Sequence, residues 1–208
     1  MSESVVALLL AAGASSRMGS PKALLPWGKT TVLEQIIGQI RDAGLPNIVM
    51  VSGAHHPNLL PVARRQGIRV CHHPDWERGI GSSLSRGIGY VMENFPDAGA
   101  VLVLLSDQPF VAGRYFREML RAQATSPGLI IASQYGDAAG VPVLLPRNVW
   151  KKIEELPPEQ GARAFIAKYR AQSLILETGF PLVDIDTPES YQRALAMAGH
   201  TPTKNEIK

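Results

Sequence analysis

Between positions 8 and 28 the chain reads LLLAAGASSRMGSPKALLPWG, an apolar run that opens into small residues carrying only two charges, Arg17 and Lys22. Gly13 and Gly19 bracket the small stretch. Glycine accepts unusual backbone angles, and alanine and serine leave amide N–H groups uncovered, so such a loop can bring its backbone against phosphate oxygens. Arg17 would add a planar fork and Lys22 a point charge for the same anion. Solvated charge is the commoner fate of loop residues; the setting after a buried strand and between two glycines argues for phosphate.

Two familiar phosphate motifs are absent. The GKT at positions 28–30 has Ala23, not glycine, five residues before Gly28, so the Walker pattern fails. GIGSSL at 79–84 ends in Leu84, so no strand is followed by the glycine fingerprint of a dinucleotide site.

Carboxylates supply the second ingredient. The most apolar segment, AVLVLLSDQP at 100–109, contains Asp107 near its end, and ligands of open α/β sheets gather beyond the carboxyl ends of strands. Magnesium takes one or two carboxylates together with phosphates and waters, so Asp107 is the first candidate ligand for Mg2+. Its competing role is a cap for the helix beyond Pro109. Asp184 and Asp186 alternate along an expected strand and would face one side, offering a second carboxylate. Asp186, just before Thr187 and Pro188, could equally serve a turn or cap.

Other suggestive residues carry less. The pairs His55-His56 and His72-His73 precede Pro57 and Pro74, and adjacent residues of an extended chain point to opposite faces, which speaks against a metal site. Cys71, the only cysteine, excludes an internal disulfide and a cysteine-based zinc cluster, and it reads as apolar filler. Trp27, Trp76 and Trp150 read as core or pocket wall, with Trp27 close in sequence to the phosphate loop.

To hold a loop and a carboxylate together, the chain alternates short β-rich runs with helical periodicity, which implies a parallel sheet in an α/β fold. Strands are expected in VVALLLAA, NIVMVS, IRVCHH, residues 100–109, LIIAS, VPVLLP, and near Leu174 and Leu182. Helices are expected over 31–43, with Thr30 or Thr31 as N-cap and Gly44 closing it, and over 82–94, 113–124, 149–156 and 161–169. Another lies between NIVMVS and IRVCHH, and a last one follows Thr187 and Pro188.

The chain has 208 residues, 45% hydrophobic and 19% charged, with a formal net charge of +3, in keeping with one α/β domain over 1–199 and a flexible tail over 200–208. The mild basic bias falls short of the stripe of a nucleic-acid binder. The apolar run 5–12 is too short to cross a membrane, and residues 1–4 lack the basic start of a signal peptide. A cytoplasmic location is expected.

The loop LAAGASSRMGSPK resembles the signature Leu-x-x-Gly-x-x-x-Arg-Met-Gly-x-x-Lys of the molybdopterin nucleotidyltransferases. GIGSSLSRGI (79–88), LSDQPF (105–110), GVPVLLP (140–146), GARAFI (161–166) and VDIDTPESY (183–191) resemble later parts of that family in the same order. The resemblance implies a Rossmann-like nucleotide-diphospho-sugar transferase fold, a three-layer sandwich around a mostly parallel mixed sheet. It implies that the phosphate of molybdopterin attacks a nucleoside triphosphate and expels pyrophosphate, with Arg17, Lys22 and Asp107 as the catalytic set. The nucleotide would meet Leu10, Ala11, Ala12, Gly13, Arg17, Gly19, Lys22, Asp107 and the segment Gly81, Ser82 and Ser83, for which a helix N-cap is the simpler role. Gln108, Pro109, Gly140 and Pro142 would meet the acceptor, and Asp107, Asp184 and Asp186 the Mg2+. Leu10-Ala11-Ala12-Gly13 is similar to the cytidylyl members and points to CTP; guanylyl members usually carry Leu-x-Gly-Gly. Val141 departs from the polar residue often found in that place. The alternatives are GTP as donor, an acceptor such as methylerythritol phosphate, and a nucleotide or molybdenum-cofactor carrier without catalysis. A molybdoenzyme or its chaperone would receive the product.

Overall fold

The computed structural model describes residues 4–179 and 183–200. Among these described residues nine strands and seven α-helices follow in order: β1 Ser4–Ala11, β2 Pro26–Trp27, β3 Thr30–Thr31, α1 Val32–Asp42, β4 Ile48–Ser52, α2 His56–Arg65, β5 Arg69–His72 and α3 Ile80–Asn94. They continue with β6 Ala98–Leu105, α4 Gly113–Thr125, β7 Ile130–Tyr135, β8 Ala138–Pro146, α5 Trp150–Glu154, α6 Ala162–Lys168, β9 Ser173–Leu176 and α7 Pro188–Met197. The main sheet has seven strands in the order β5-β4-β1-β6-β8-β7-β9, and β2 and β3 form a small separate hairpin.

β1 pairs in parallel with β4 and β6, and β4 with β5, so four adjacent strands end at one edge. β8 alone is reversed, antiparallel to both β6 and β7, while β9 runs parallel to β7. This is the mostly parallel mixed sheet of the expected α/β class. The period of two shows in β1: Ala7, Leu9 and Ala11 join the core under α1, α2, α4 and α7, whereas Val6, Leu8 and Leu10 join the one under α3, α5 and α6. Burial on both faces explains why central strands read as unbroken apolar runs.

Local signals agree with the helices. Thr31 caps α1 by accepting from the Glu34 N–H while the Glu34 carboxylate accepts from the Thr31 N–H, a reciprocal capping box. Leu33, Ile36, Ile37 and Ile40 form its buried face. α7 starts the same way, with Thr187 and Ser190 exchanging bonds and Pro188 in the first turn. Gly87 lets α3 lie close on the sheet: a Cβ there would sit 2.8 Å from side-chain atoms of Leu8 and Val51.

Three expectations change. β6 ends at Leu105, so Asp107 lies in the turn beyond it; the Ser106 N–H still reaches the Leu10 carbonyl at 3.2 Å, but regular pairing has ceased. The strand expected near Leu182 falls outside the described residues, and 183–186 lie in no strand. Ile185 is nevertheless fully buried, with its N–H bonded to the Asp107 carbonyl at 3.1 Å, between the aspartates on either side. At the C-terminus, His200 packs edge-on against Trp27, while the rest of the expected tail, 201–208, lies outside the described residues.

Candidate active site

The carboxyl ends of β1, β4 and β6 open into a cleft of about 370 Å³, a size within the range of small-molecule sites. Leu10, Ala11, Ala12 and Gly13 line its inner end, and Lys22 and Asp107 a side of it. A Cβ built on Gly13 or Gly19 would touch nothing within 4 Å, so neither glycine is required by packing. Gly19 takes φ +67°, and Ser15 takes φ +50° without being glycine. These are the conformations a phosphate-cradling turn uses.

Lys22 and the carboxylates converge across 85 residues or more of chain. The Lys22 ammonium donates to Asp107 Oδ2 and, at 2.9 Å, to Asp186 Oδ1. Arg17 reaches Asp186 Oδ2 at 3.7 Å with its own side chain 69% exposed. Burial by itself would lower the pKa of Lys22, but Asp107 and Asp186 outweigh it and hold the ammonium above its ordinary value. Burial pushes the Asp107 carboxyl up despite Lys22, and Asp184 and Asp186 add repulsion. The hydrogen bond from Lys22 holds the Asp186 carboxyl down.

Asp107 Oδ1 is buried and has no hydrogen-bond partner among the described residues. A buried anionic oxygen left unsatisfied is costly, and a cation is the partner that suits it. With Asp184 and Asp186 close enough to perturb it, Asp107 fits a hard divalent ion that also takes phosphate oxygens. Among the described residues no group of three or more His, Cys, Asp or Glu side chains is placed to hold a metal ion, so Asp107, Asp184 and Asp186 do not converge as a ready three-carboxylate site.

Not every expected residue faces the cleft. A Cβ on Gly81 would lie 2.3 Å from the Gln160 carbonyl oxygen, so its missing side chain serves the contact with 157–160. Ser82 turns its hydroxyl to the Gly79 carbonyl at 2.7 Å and accepts from His73 Nε2 at 2.9 Å; Gly79 is the N-cap residue of α3, and no side chain caps that helix. Ser83 does line the cleft. Gln108, Pro109, Gly140 and Pro142 are all buried. The Gln108 amide donates to Tyr135 Oη and to Asp184 Oδ1 at 2.8 Å, and Tyr135 Oη donates to the Val141 carbonyl. Gln108, Tyr135 and the Val141 carbonyl therefore form a bonded wall behind Asp184, and Gln108 Oε1 is buried with no hydrogen-bond partner among the described residues.

His55 and His56 diverge at the start of α2 rather than along the extended chain expected there, with roles that the sequence did not reveal. His55 Nε2 donates to the Ala14 carbonyl in the phosphate loop at 2.8 Å, whereas His56 bonds Ser52 at 2.7 Å and stacks on His72 at 4.0 Å. Burial lowers the His73 and His56 pKa values. Trp76 and Ile80 are further cleft residues that sequence reasoning missed or left open. The signal for His55 was its place just past β4, the strand beside β1. Cys71 is buried, and burial raises its thiol pKa, in keeping with filler. Trp150 is buried with its indole N–H on the Leu145 carbonyl at 3.0 Å.

A sequence profile described as the MobA-like NTP transferase domain matches residues 7–173, most of the chain. The chain belongs to this family. As a MobA-like transferase it is a nucleotidyltransferase, an enzyme class consistent with the loop, the cation and the carboxylate just described. Its curated relatives bear varied names. Purine catabolism protein PucB of Bacillus subtilis strain 168 is 26% identical over 199 residues, covering 90% of this chain and 94% of its own length. Nicotine blue oxidoreductase of Paenarthrobacter nicotinovorans is 32% identical over 176 residues, covering 78% and 81%. Molybdenum cofactor cytidylyltransferase of Escherichia coli K12 is 25% identical over 185 residues, covering 88% and 92%. Among solved structures, the Rv0371c homolog from Mycobacterium sp. strain JC1 superposes with TM-score 0.82 at 26% identity, covering 94% of this MobA-like chain and 96% of that one. The Mycobacterium tuberculosis H37Rv protein Rv0371c in complex with manganese shares the fold, with TM-score 0.73 at 23% identity over 94% and 100%. Among the described residues no helix is long and apolar enough to cross a membrane.

Proposed function

We propose that the protein transfers CMP from CTP to the phosphate of molybdopterin and releases pyrophosphate. The observation that carries the transfer is the meeting of Lys22, Asp107 and Asp186 at the mouth of the phosphate loop. For the donor, the support is Ala12, which lines the cleft where guanylyl members usually carry glycine. Its methyl group takes room that a purine could use. For the acceptor, the support is the order of the family-like segments and the similarity to the Escherichia coli cytidylyltransferase.

A phosphate monoester is already mostly dianionic at neutral pH, so its oxygen needs no strong general base. That oxygen attacks the α-phosphorus; a P–O bond forms, the bond to the oxygen bridging α and β breaks, and the electron pair leaves with pyrophosphate. The residues must bring two anions together and stabilise the charge on the leaving group. Loop N–H groups and Arg17 bind the triphosphate, and Lys22 exchanges a carboxylate partner for a phosphate oxygen. A divalent ion held by Asp107, with Asp184 or Asp186 beside it, would supply further charge neutralisation; magnesium is the expected ion.

Pyrophosphate release tests the proposal when CTP, GTP, ATP and UTP are each offered with Mg2+, with and without molybdenum-loaded molybdopterin. Release from CTP only in the presence of the pterin is the expected result. Release from GTP alone among the donors would reassign the base. Release only with another phosphorylated acceptor, such as methylerythritol phosphate, would reassign the acceptor, and nucleotide binding without release across an acceptor panel would make the protein a carrier.

A further inference from the structure

We propose that His55 is the positioning residue of the phosphate loop, a latch that holds the loop backbone in its anion-binding form. The inference rests on the nucleotidyltransferase reading of the cleft. Where β4 ends at Ser52, the chain turns back toward the loop that follows β1, and it grips that loop at two alternate carbonyls. The Ala54 N–H donates to the Ala12 oxygen at 3.0 Å, and His55 Nε2 donates to the Ala14 oxygen at 2.8 Å. A carbonyl only accepts, so Nε2 must carry the proton. The approach is close enough that a Cβ on Gly53 would lie 2.6 Å from the Ala12 oxygen.

Two carbonyls drawn the same way have a geometric consequence. In a trans peptide the N–H points opposite to the C=O of the preceding residue. Drawing the oxygens of Ala12 and Ala14 toward 54–55 therefore turns the N–H groups of Gly13 and Ser15 the other way, leaving them for a ligand. Ser15 shows that the arrangement is imposed: it is the one non-glycine among the described residues with positive φ, at +50°. Such a conformation persists where its surroundings hold it. Ser15 is held on its far side as well, its carbonyl accepting from the Met18 N–H at 2.9 Å and its hydroxyl from the Lys22 N–H at 3.3 Å. Among the described residues, the His55 bond is the one side-chain hydrogen bond that ties the loop to the segment after β4. His55 also lines the cleft, and as a latch it acts on the reaction through the loop it holds.

His55 is the N-cap residue of α2 but makes no side-chain cap bond there, so replacing it removes the latch without uncapping the helix. The test compares wild type with His55→Leu, which removes the donor, and His55→Gln, whose amide N–H reaches about as far as Nε2. Hydrogen exchange at Ala54 and Met18, whose N–H groups bond the loop carbonyls of Ala12 and Ser15, is read in nucleotide-free protein, and KM for the nucleotide and kcat are read separately. Faster exchange at those two amides is expected in His55→Leu, with KM raised about three- to tenfold, kcat changed less than about twofold, and both effects reversed in His55→Gln. Unchanged exchange, an unchanged KM, or an equal loss in kcat would each overturn the latch and leave the transferase reading standing. A folded wild-type protein that neither binds nor turns over any nucleotide would overturn that reading instead, and the exchange rates would still report whether His55 holds the loop.

Discussion

Lys22→Met isolates the ion pair at the centre of the site. Lys22 is 20% exposed and Asp107 11%, whereas Asp186 at 41% keeps much of its hydration. Removing one side of a buried pair costs about 3–5 kcal/mol, because a charge is left behind without compensation. The Asp186 arm is screened and adds little. The partial exposure of the Asp107 arm puts the loss near the lower limit, about 3 kcal/mol, and at about 2–4 °C per kcal/mol for a chain of this size the melting midpoint should fall by about 6–12 °C. Thermal unfolding followed by circular dichroism in the presence of a chelator measures it. Adding millimolar Mg2+ or Mn2+ should then raise the midpoint of the variant more than that of wild type, where the ion must first displace an ammonium from Asp107. A midpoint within about 2 °C of wild type, or equal shifts from the divalent ion, would refute the view that the pair organises the site. The pH dependence has a definite sign. Because Asp107 and Asp186 outweigh burial and raise the Lys22 pKa, its contribution is complete below the ordinary value of 10.5 and is lost as pH rises through the higher folded value. The gap between wild type and variant should stay flat through neutral pH and close only in strong alkali.

Asp107→Asn should reduce pyrophosphate release by at least about a hundredfold. Denaturant titration should show a loss of about 1–3 kcal/mol, no larger than that of Lys22→Met, since the amide oxygen can still accept from Lys22 although the charge of the pair is broken. Gly87→Ala would be favourable by about 1 kcal/mol on helix propensity, yet the contacts at 2.8 Å with Leu8 and Val51 should make it destabilising by about 1–3 kcal/mol in urea unfolding. Thr31→Ala breaks the capping box of α1 and should cost about 1 kcal/mol by the same measurement. Tyr115, pushed up by burial to about 12, should keep its phenol protonated in absorbance titration until strongly alkaline pH.

What could be read in advance was whatever depends on neighbours in the chain. Thr31 with Glu34, the alternation along β1 and the bracketing of the loop by Gly13 and Gly19 all lie within a few residues of the feature they determine. Features created by packing could not be read that way. Lys22 and Asp107 each stood out, but their contact depends on β1 and β6 lying side by side. Gly81 reads as part of a nucleotide-binding segment, and the structure uses its missing side chain against the 157–160 backbone, as it uses that of Gly87 against the sheet. Gln108 carries its polar head on a buried side chain, and its bonds to Tyr135 and Asp184 come from segments far away in sequence. Alternation along an extended chain speaks against both His55 and His56, but the two lie where α2 begins, and the turn of the chain there brings His55 to the loop.

The single reversed strand, β8, divides the labour of the sheet. Because β7 and β8 run in opposite directions, the tight turn between Tyr135 and Ala138 sits at the same edge as Asp107, with no helix crossing over it. A parallel connection at that edge would be tied to a helix packed on the sheet face. A hairpin tip is not: residues added there leave every strand in register, and lengthening a surface loop costs chain entropy only slowly. The cleft beyond β1, β4 and β6 is built from parallel strands and is hard to alter without disturbing the core, whereas the wall behind Asp184 ends in a tip that can be lengthened or rewritten at little cost. In such an architecture, one tip can change while the cleft beside it stays in place.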